Sequence, residues 1–184
     1  MRFKMELSTK SVDNLLKMLK MTEAKIRFVV SAALQQLADM GVAHIGQLLT
    51  YYGLGDTELA RTIELIKVND NHYRIRATGK QTSIGVCQAV LIEFGTGVKG
   101  EQQPHQLAAE VGYKYDINAH GNDGWYYPSS EQDRNPKKYV TKEGDIIAWT
   151  KGMPSRPFMY NSTIFLESEV QDVLRQIIGR LLRS

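Results

Sequence analysis

The chain has one cysteine in 184 residues. Cys87 therefore has no partner for an internal disulfide and no second thiol with which to build a zinc knuckle. What remains for it is the part of a small buried apolar residue in a strand or helix. Long hydrophobic runs are missing too. Apolar stretches are broken by Lys25 and Arg27 and by Gln35-Gln36, short of the roughly 20 uninterrupted apolar residues that span a bilayer, so no membrane anchor is expected. The opening Met1-Arg2-Phe3-Lys4-Met5-Glu6 alternates apolar and charged residues, where a secretory leader has a basic cluster followed by an apolar block. The expectation is a protein made and kept in the cytoplasm, or packaged from there.

Nor is there much excess of one charge. A formal net charge of +3 and a pI near 8.9 are too weak, over a chain this size, for an electrostatic signature of DNA binding. The basic residues are scattered. Arg134 with Lys137 and Lys138 reads as a solvated loop, and Arg175, Arg180 and Arg183 as cations at the negative end of a helix dipole. Catalytic patterns are absent as well: there is no His-Glu-x-x-His helix, no paired cysteine, and no nucleophile with its base at a recognisable spacing. His105, Asp116, His120, Asp123 and Asp145 are the candidates for metal or acid/base chemistry, but His120-Gly121-Asn122-Asp123-Gly124 reads as a turn. Gly95-Thr96-Gly97 lacks the lysine and the glycine spacing of a phosphate loop. His44 has no metal-ligating residue three or four positions away and reads as a packed side chain. Binding without catalysis, and with no metal or cofactor, is the expectation.

What the chain does have is a globular composition, 42% hydrophobic and 23% charged, and enough length for one sizeable core. Phe3, Met5 and Leu7 at period two suggest a strand, and Ser11 a helix cap before Val12, Leu15, Leu16 and Leu19. From Thr22 to Tyr51, Ile26, Val29, Val30, Ala33, Leu34, Leu37, Ile45, Leu48 and Leu49 recur at three and four residue steps, which predicts a long amphipathic helix whose stripe needs a partner. Gly41 and Gly46 inside it predict a kink or a close packing contact. Gly53 and Gly55 stop the helix, and Asp56 or Thr57 is placed to cap a short turn. Ile63, Leu65 and Ile66, then Asp70-Asn71, then Tyr73, Ile75 and Ala77 predict a hairpin. After Val86 to Phe94, an apolar run, comes Glu93 to Gly97. Glu93 is an acid inside an apolar phrase and is expensive to bury unless paired or hydrogen-bonded, so it is expected at the surface, on loop backbone such as the glycine turn, or against a neighbouring subunit.

Residues 98–153 turn polar and aromatic, with Tyr113, Tyr115, Trp125, Tyr126, Tyr127, Tyr139 and Trp149 among Gln, Asn, Asp and Lys. Strand pairs at Gly124 to Tyr127 and Ile146 to Trp149, and a short helix around Gln106 to Val111, are expected there. The aromatics serve either as interface anchors or as a satellite core. Pro154-Ser155-Arg156-Pro157-Phe158 then stiffens the approach to a final helix, with Asn161, Ser162 or Thr163 as its cap. Ile164, Phe165, Val170, Val173, Leu174, Ile177, Ile178, Leu181 and Leu182 give that helix an apolar stripe.

Three phrases in this order carry a resemblance: Thr57-Glu58-Leu59-Ala60-Arg61-Thr62-Ile63, Ile92-Glu93-Phe94-Gly95-Thr96-Gly97, and Pro154-Ser155-Arg156-Pro157-Phe158 before a C-terminal amphipathic helix. Together they resemble the tail-completion and head-to-tail joining proteins of tailed bacteriophages, also labelled neck, minor capsid or virion morphogenesis proteins. Members commonly have a much shorter connection where this chain has 98–153. The expected fold is a single α+β domain over 1–184: a small, mostly antiparallel sheet packed against a long N-terminal helix and a C-terminal helix, with 98–153 an aromatic-rich loop insertion. The resemblance implies a structural virion protein that completes the tail or joins it to the DNA-filled head as part of a homo-oligomeric ring. A hexamer is favoured, because it matches tail symmetry. Its partners would be the head connector or portal-associated proteins and the tail tube or tail terminator, with encapsidated DNA passing through the ring. A ring needs two unlike patches on each subunit. Glu93, Phe94, Gly95, Thr96 and Gly97 with Arg156, Pro157 and Phe158 are assigned to one, and Trp125, Tyr126, Tyr127 and Trp149 to contacts with head or tail. The alternatives are a tail terminator or other neck ring and, from another class, a phage-encoded hydrolase using His105 or His120.

Overall fold

The computed structural model describes residues 9–81, 85–116, 118–131 and 135–183. The expected strand at Phe3 to Leu7, and Arg134, lie outside them. The fold is α+β, built on two helices. α1 spans Thr9–Tyr51, 43 residues, about 65 Å at 1.5 Å per residue. It is one continuous helix that takes in the Val12–Leu19 segment, so Ser11 lies inside its first turn and not at its cap. Its end is a Schellman turn: Gly53 N–H donates to the Thr50 carbonyl and Leu54 N–H to that of Leu49, with Gly53 at φ 71°, a conformation that favours glycine.

Helix α2 (Glu58–Arg61) follows. Thr57 occupies its N-cap position, but its hydroxyl donates backwards to the Leu54 carbonyl at 2.6 Å. The expected hairpin is present as β1 (Glu64–Asn69) and β2 (His72–Arg76), antiparallel, with Leu65 opposite Ile75 and a register shift between Lys67 and Asn69. Two short helices come next, α3 (Gln88–Phe94) and α4 (Gly97–Gln102). Strands β3 (Trp125–Pro128), β4 (Lys138–Val140) and β5 (Ile146–Thr150) form a second antiparallel sheet in the order β3-β5-β4. Helix α5 spans Phe158–Leu181.

The expected α+β architecture is present, with its strands in two small antiparallel sheets. The hairpin packs on α1, whereas the three strands of the 98–153 region satisfy one another, with Tyr126 opposite Trp149 and Lys138 opposite Ala148. The expected helix at Gln106 to Val111 is instead a series of turns. Pro104 precedes it, Gly112 adopts φ 63° after it, and the His105 ring accepts the Leu107 N–H, which draws that donor away from a helical ladder.

The stripe of α1 finds its partner in α5, which runs antiparallel to it. His44 stacks on Phe165 with ring centroids 4.2 Å apart and its Nδ1 lies 3.0 Å from Ser162 Oγ. Further along, Ala33 packs with Val173 and Ile177. Gly41 is the close contact expected of it: a Cβ there would sit 2.7 Å from Ile75 Cδ1 and 2.9 Å from Leu166 Cδ1, whereas Gly46 faces open space. The main core gathers Ile45, Leu49, Leu59, Ala89, Ile92 and Phe158 from α1, α2, α3 and α5, each large aliphatic or aromatic member contributing about 1.5–3 kcal/mol of burial. Cys87 is only partly buried. It occupies the N-cap position of α3, and its thiol donates to the Thr78 carbonyl at 2.6 Å.

Away from that core the helices are poorly covered. Lys20–Tyr51 contains a stretch long and apolar enough to cross a bilayer by length and composition, with only 22% of it buried, a criterion that a helix packed in a protein core also meets. Counting uninterrupted runs passes over it, because Gln35-Gln36 and Asp39 break the run without lowering the average enough.

Candidate functional site

The two sequence phrases assigned to one patch do meet, 62 residues apart in the chain. Ser155 Oγ donates to the Glu93 carbonyl at 2.7 Å, the Arg156 N–H to that of Ile92 at 3.0 Å, and Thr96 and Met153 exchange backbone hydrogen bonds of 2.9 and 3.1 Å. Gly95 makes this approach possible. It adopts φ 83°, and a Cβ there would meet the Ser155 nitrogen at 2.6 Å and the Met153 oxygen at 2.8 Å.

Glu93 lies at the centre and is 7% exposed. Its Oε2 accepts the Met159 N–H at 2.9 Å and its Oε1 the Tyr160 N–H at 2.9 Å. These are first-turn donors of α5, whose N-cap residue Pro157 makes no side-chain cap bond. A carboxylate from α3 therefore caps α5 from outside and sits at the positive end of its dipole. This explains why α5 starts at Phe158, ahead of the expected caps Asn161, Ser162 and Thr163. It also corrects the expectation for Glu93: the acid is buried, and its backbone donors come from α5 and not from the glycine turn.

His105 supplies the third donor, Nε2 to Glu93 Oε1 at 3.2 Å, while its Nδ1 accepts the Leu107 N–H at 3.0 Å. An Nδ1 that accepts carries no proton, which fixes the Nε2–H tautomer. The ring is 3% exposed, 4.3 Å from the Phe94 ring and 5.2 Å from that of Tyr160. Phe94 stacks on Tyr113, whose hydroxyl donates to the Gly95 carbonyl at 2.9 Å. Burial, with Tyr115 adding to it, pushes the Tyr113 phenol up to about 12. The arrangement is a polar clamp that locks α3, the start of 98–153 and α5 together, and both ring nitrogens of His105 are used in it. Among the described residues no group of three or more His, Cys, Asp or Glu is placed to hold a metal ion. No family model, curated protein or solved structure matches the chain.

The remaining assigned residues separate into interior and surface. Phe158 is fully buried in the main core, and Gly95 and Gly97 are buried beneath the 153–156 segment and Trp125. With Glu93 they are interior to the chain, so they do not offer a patch to a neighbour. Phe94, Thr96, Arg156 and Pro157 are half-buried. Trp125 turns inward and stacks on His120 at 4.4 Å; the His120 ring nitrogen Nδ1 lies 2.8 Å from Asp116 Oδ1. Backbone N–H groups of His120 and then Gly121 hold the Asp116 carboxyl below the usual carboxylate range. Tyr127 is half-buried, and its hydroxyl accepts Asn135 Nδ2 at 3.2 Å. Tyr126 faces outward at 56% exposure, edge-to-face with Tyr139.

Two features have no linear signal. One is an apolar ridge along the α1–α5 seam with two flanks: Ile26 and Ile178, 58% and 43% exposed, border a groove of about 290 Å³, and Phe28, 60% exposed, borders one of about 410 Å³ on the other side. The other is a cleft of about 650 Å³ lined by Lys99, Lys137 and Lys151 with Gln102, Asn135 and Trp149. The periodicity announces both helices but not which half of each stripe stays uncovered, and the three lysines come from three separate segments.

Proposed function

We propose that this chain is a structural protein of the tailed-phage neck, which completes the tail or joins it to the DNA-filled head as a subunit of a ring, with six copies matching tail symmetry. The observation that carries the reading is the presence of two unlike uncovered surfaces. One is the apolar ridge of α1 and α5, the other the outward aromatic face of the second sheet at Tyr126 and Tyr139. Exposed apolar area of this kind marks contact with another protein, and a closed ring of identical subunits needs two different patches that fit each other. The buried clamp supports the same reading from within, because it uses its titratable groups to hold segments together.

Electron microscopy of a lysate from the parent phage or prophage with this gene deleted tests the proposal. Separate DNA-filled heads and finished free tails are the expected products. Intact virions, or a block confined to host lysis, would overturn it.

A further inference from the structure

The lysine cleft is not used by the assembly reading. Its three cations arise from α4, from the turn before β4, and from just past the end of β5, yet their backbones are tied together. The Lys99 N–H donates to the Lys151 carbonyl at 3.3 Å, and the Trp149 N–H, two residues before Lys151, donates to the Lys137 carbonyl at 3.0 Å. The roots of the three side chains are thereby fixed at one end of the second sheet, where β4 begins and β5 finishes. Lys137 Nζ lies 4.0 Å from the centroid of the Trp149 ring, an arrangement that holds a charge on the cleft wall. Asn135 shapes the wall by donating to the Trp149 carbonyl and accepting the Lys137 N–H. Among the described residues no carboxylate lines the cleft, and none forms a salt bridge with Lys99, Lys137 or Lys151. Three like charges around one concavity repel one another until an anion enters.

We propose that this cleft binds the phosphodiester backbone of duplex DNA without regard to sequence. Lysine ammoniums are point charges that suit phosphate oxygens, and among the described residues no arginine lines the cleft with the planar fork that would read base edges. The Trp149 ring has Lys137 over it, so it is the stem of the charge and not a free platform for an unpaired base. An open cleft at the end of the sheet also admits a continuous strand of phosphates, where a single enclosed anion would call for a closed pocket. The inference stands independently of the neck reading; under that reading, the ligand would be the packaged genome.

The test is fluorescence anisotropy with a random-sequence 30-base-pair duplex over a salt series. Three phosphate contacts give a log–log salt slope of about −2.7, a fall of about 40-fold between 50 and 200 mM salt. Each of Lys99→Gln, Lys137→Gln and Lys151→Gln should flatten the slope by roughly 0.9. The triple Lys→Arg variant should restore it, and Lys17→Gln with Lys20→Gln on α1 should leave it unchanged. All these side chains lie at the surface, and circular dichroism checks that each variant is folded. Absence of duplex binding by the folded wild-type chain at 50 mM salt would overturn the proposal. So would a slope unaltered in the triple Lys→Gln variant. Equal competition by inorganic phosphate would assign the cleft to a small anion, and equal competition by polyglutamate to an acidic protein; either would also overturn it.

Discussion

At the scale of single residues, Glu93 carries more of the fold than any other polar side chain described. It satisfies two first-turn N–H groups of α5 and the His105 ring at once. Glu93→Ala leaves three buried donors unpaired, and a loss of about 3 kcal/mol is expected in urea unfolding. Glu93→Gln keeps one acceptor but turns an amide NH2 towards another donor, so a loss of about 2 kcal/mol is expected, and not the neutrality that isosteric replacement suggests. Tyr113 yields a pH prediction. Its phenol titrates near 12 in the fold against about 10 in an unfolded chain, so between those values the folded state holds the proton more tightly. Stability from this group is therefore complete below about pH 10 and is lost as pH rises towards 12. Tyr113→Phe should remove that alkaline decline, which thermal unfolding followed from pH 9 to 12 would measure. Asp116 has the opposite sign. Its carboxyl is held low by the 120–121 backbone, so its contribution is present above about pH 4 and lost as pH falls through the folded value. Fluorescence of Trp125, stacked on His120 beside Asp116, is expected to shift in that acid range.

At the scale of elements, two glycines of α1 separate local preference from packing. Gly46→Ala places a methyl in open space and should stabilise by about 0.5–1 kcal/mol through helix propensity alone. Gly41→Ala gains the same propensity but drives its methyl into Ile75 and Leu166, and a net loss of about 1 kcal/mol is expected. Chemical denaturation of the two variants side by side should give opposite signs. The sequence called for a kink or a close contact at each position, and only tertiary structure tells them apart. Elements whose signals are local were legible: the Schellman end of α1 at Gly53, the hairpin turn at Asp70-Asn71, and the pairing of Trp125 to Tyr127 with Ile146 to Trp149. Those that depend on distant partners were not. The start of α5 was read four to six residues late because its cap comes from α3. Glu93 was expected at the surface, on loop backbone or against a neighbouring subunit, because no single-sequence rule supplies donors from 66 residues away. Phe158 was read as surface because its phrase is rich in proline and arginine, whereas α1, α2 and α3 close around it.

At the scale of the whole molecule, the uncovered half of each helical stripe lies on one ridge, and the outward aromatics lie on a different sheet. A purified chain that forms rings through the ridge should lose them when Phe28→Glu and Ile26→Glu are combined. Both side chains are already more than half exposed, so little change in melting temperature is expected. Analytical ultracentrifugation checks the mass and calorimetry the stability. A monomeric wild type with an unchanged double variant would remove the ridge from the assembly reading. The same charges should also lower any partition of α1 onto lipid vesicles, which distinguishes a protein contact from a membrane one when vesicle binding is measured in parallel.

The clamp between Glu93 and Ser155 fixes both ends of a 62-residue excursion. The entropy of closing such an excursion grows only with the logarithm of its length, so replacing it with a connection of about 20 residues would change the closure term by roughly 1 kcal/mol. Extra length between those two points is thermodynamically cheap, provided that the segment returns one N–H donor to Glu93. The frame of α1, α3 and α5 can therefore host excursions of very different length and content without being redesigned.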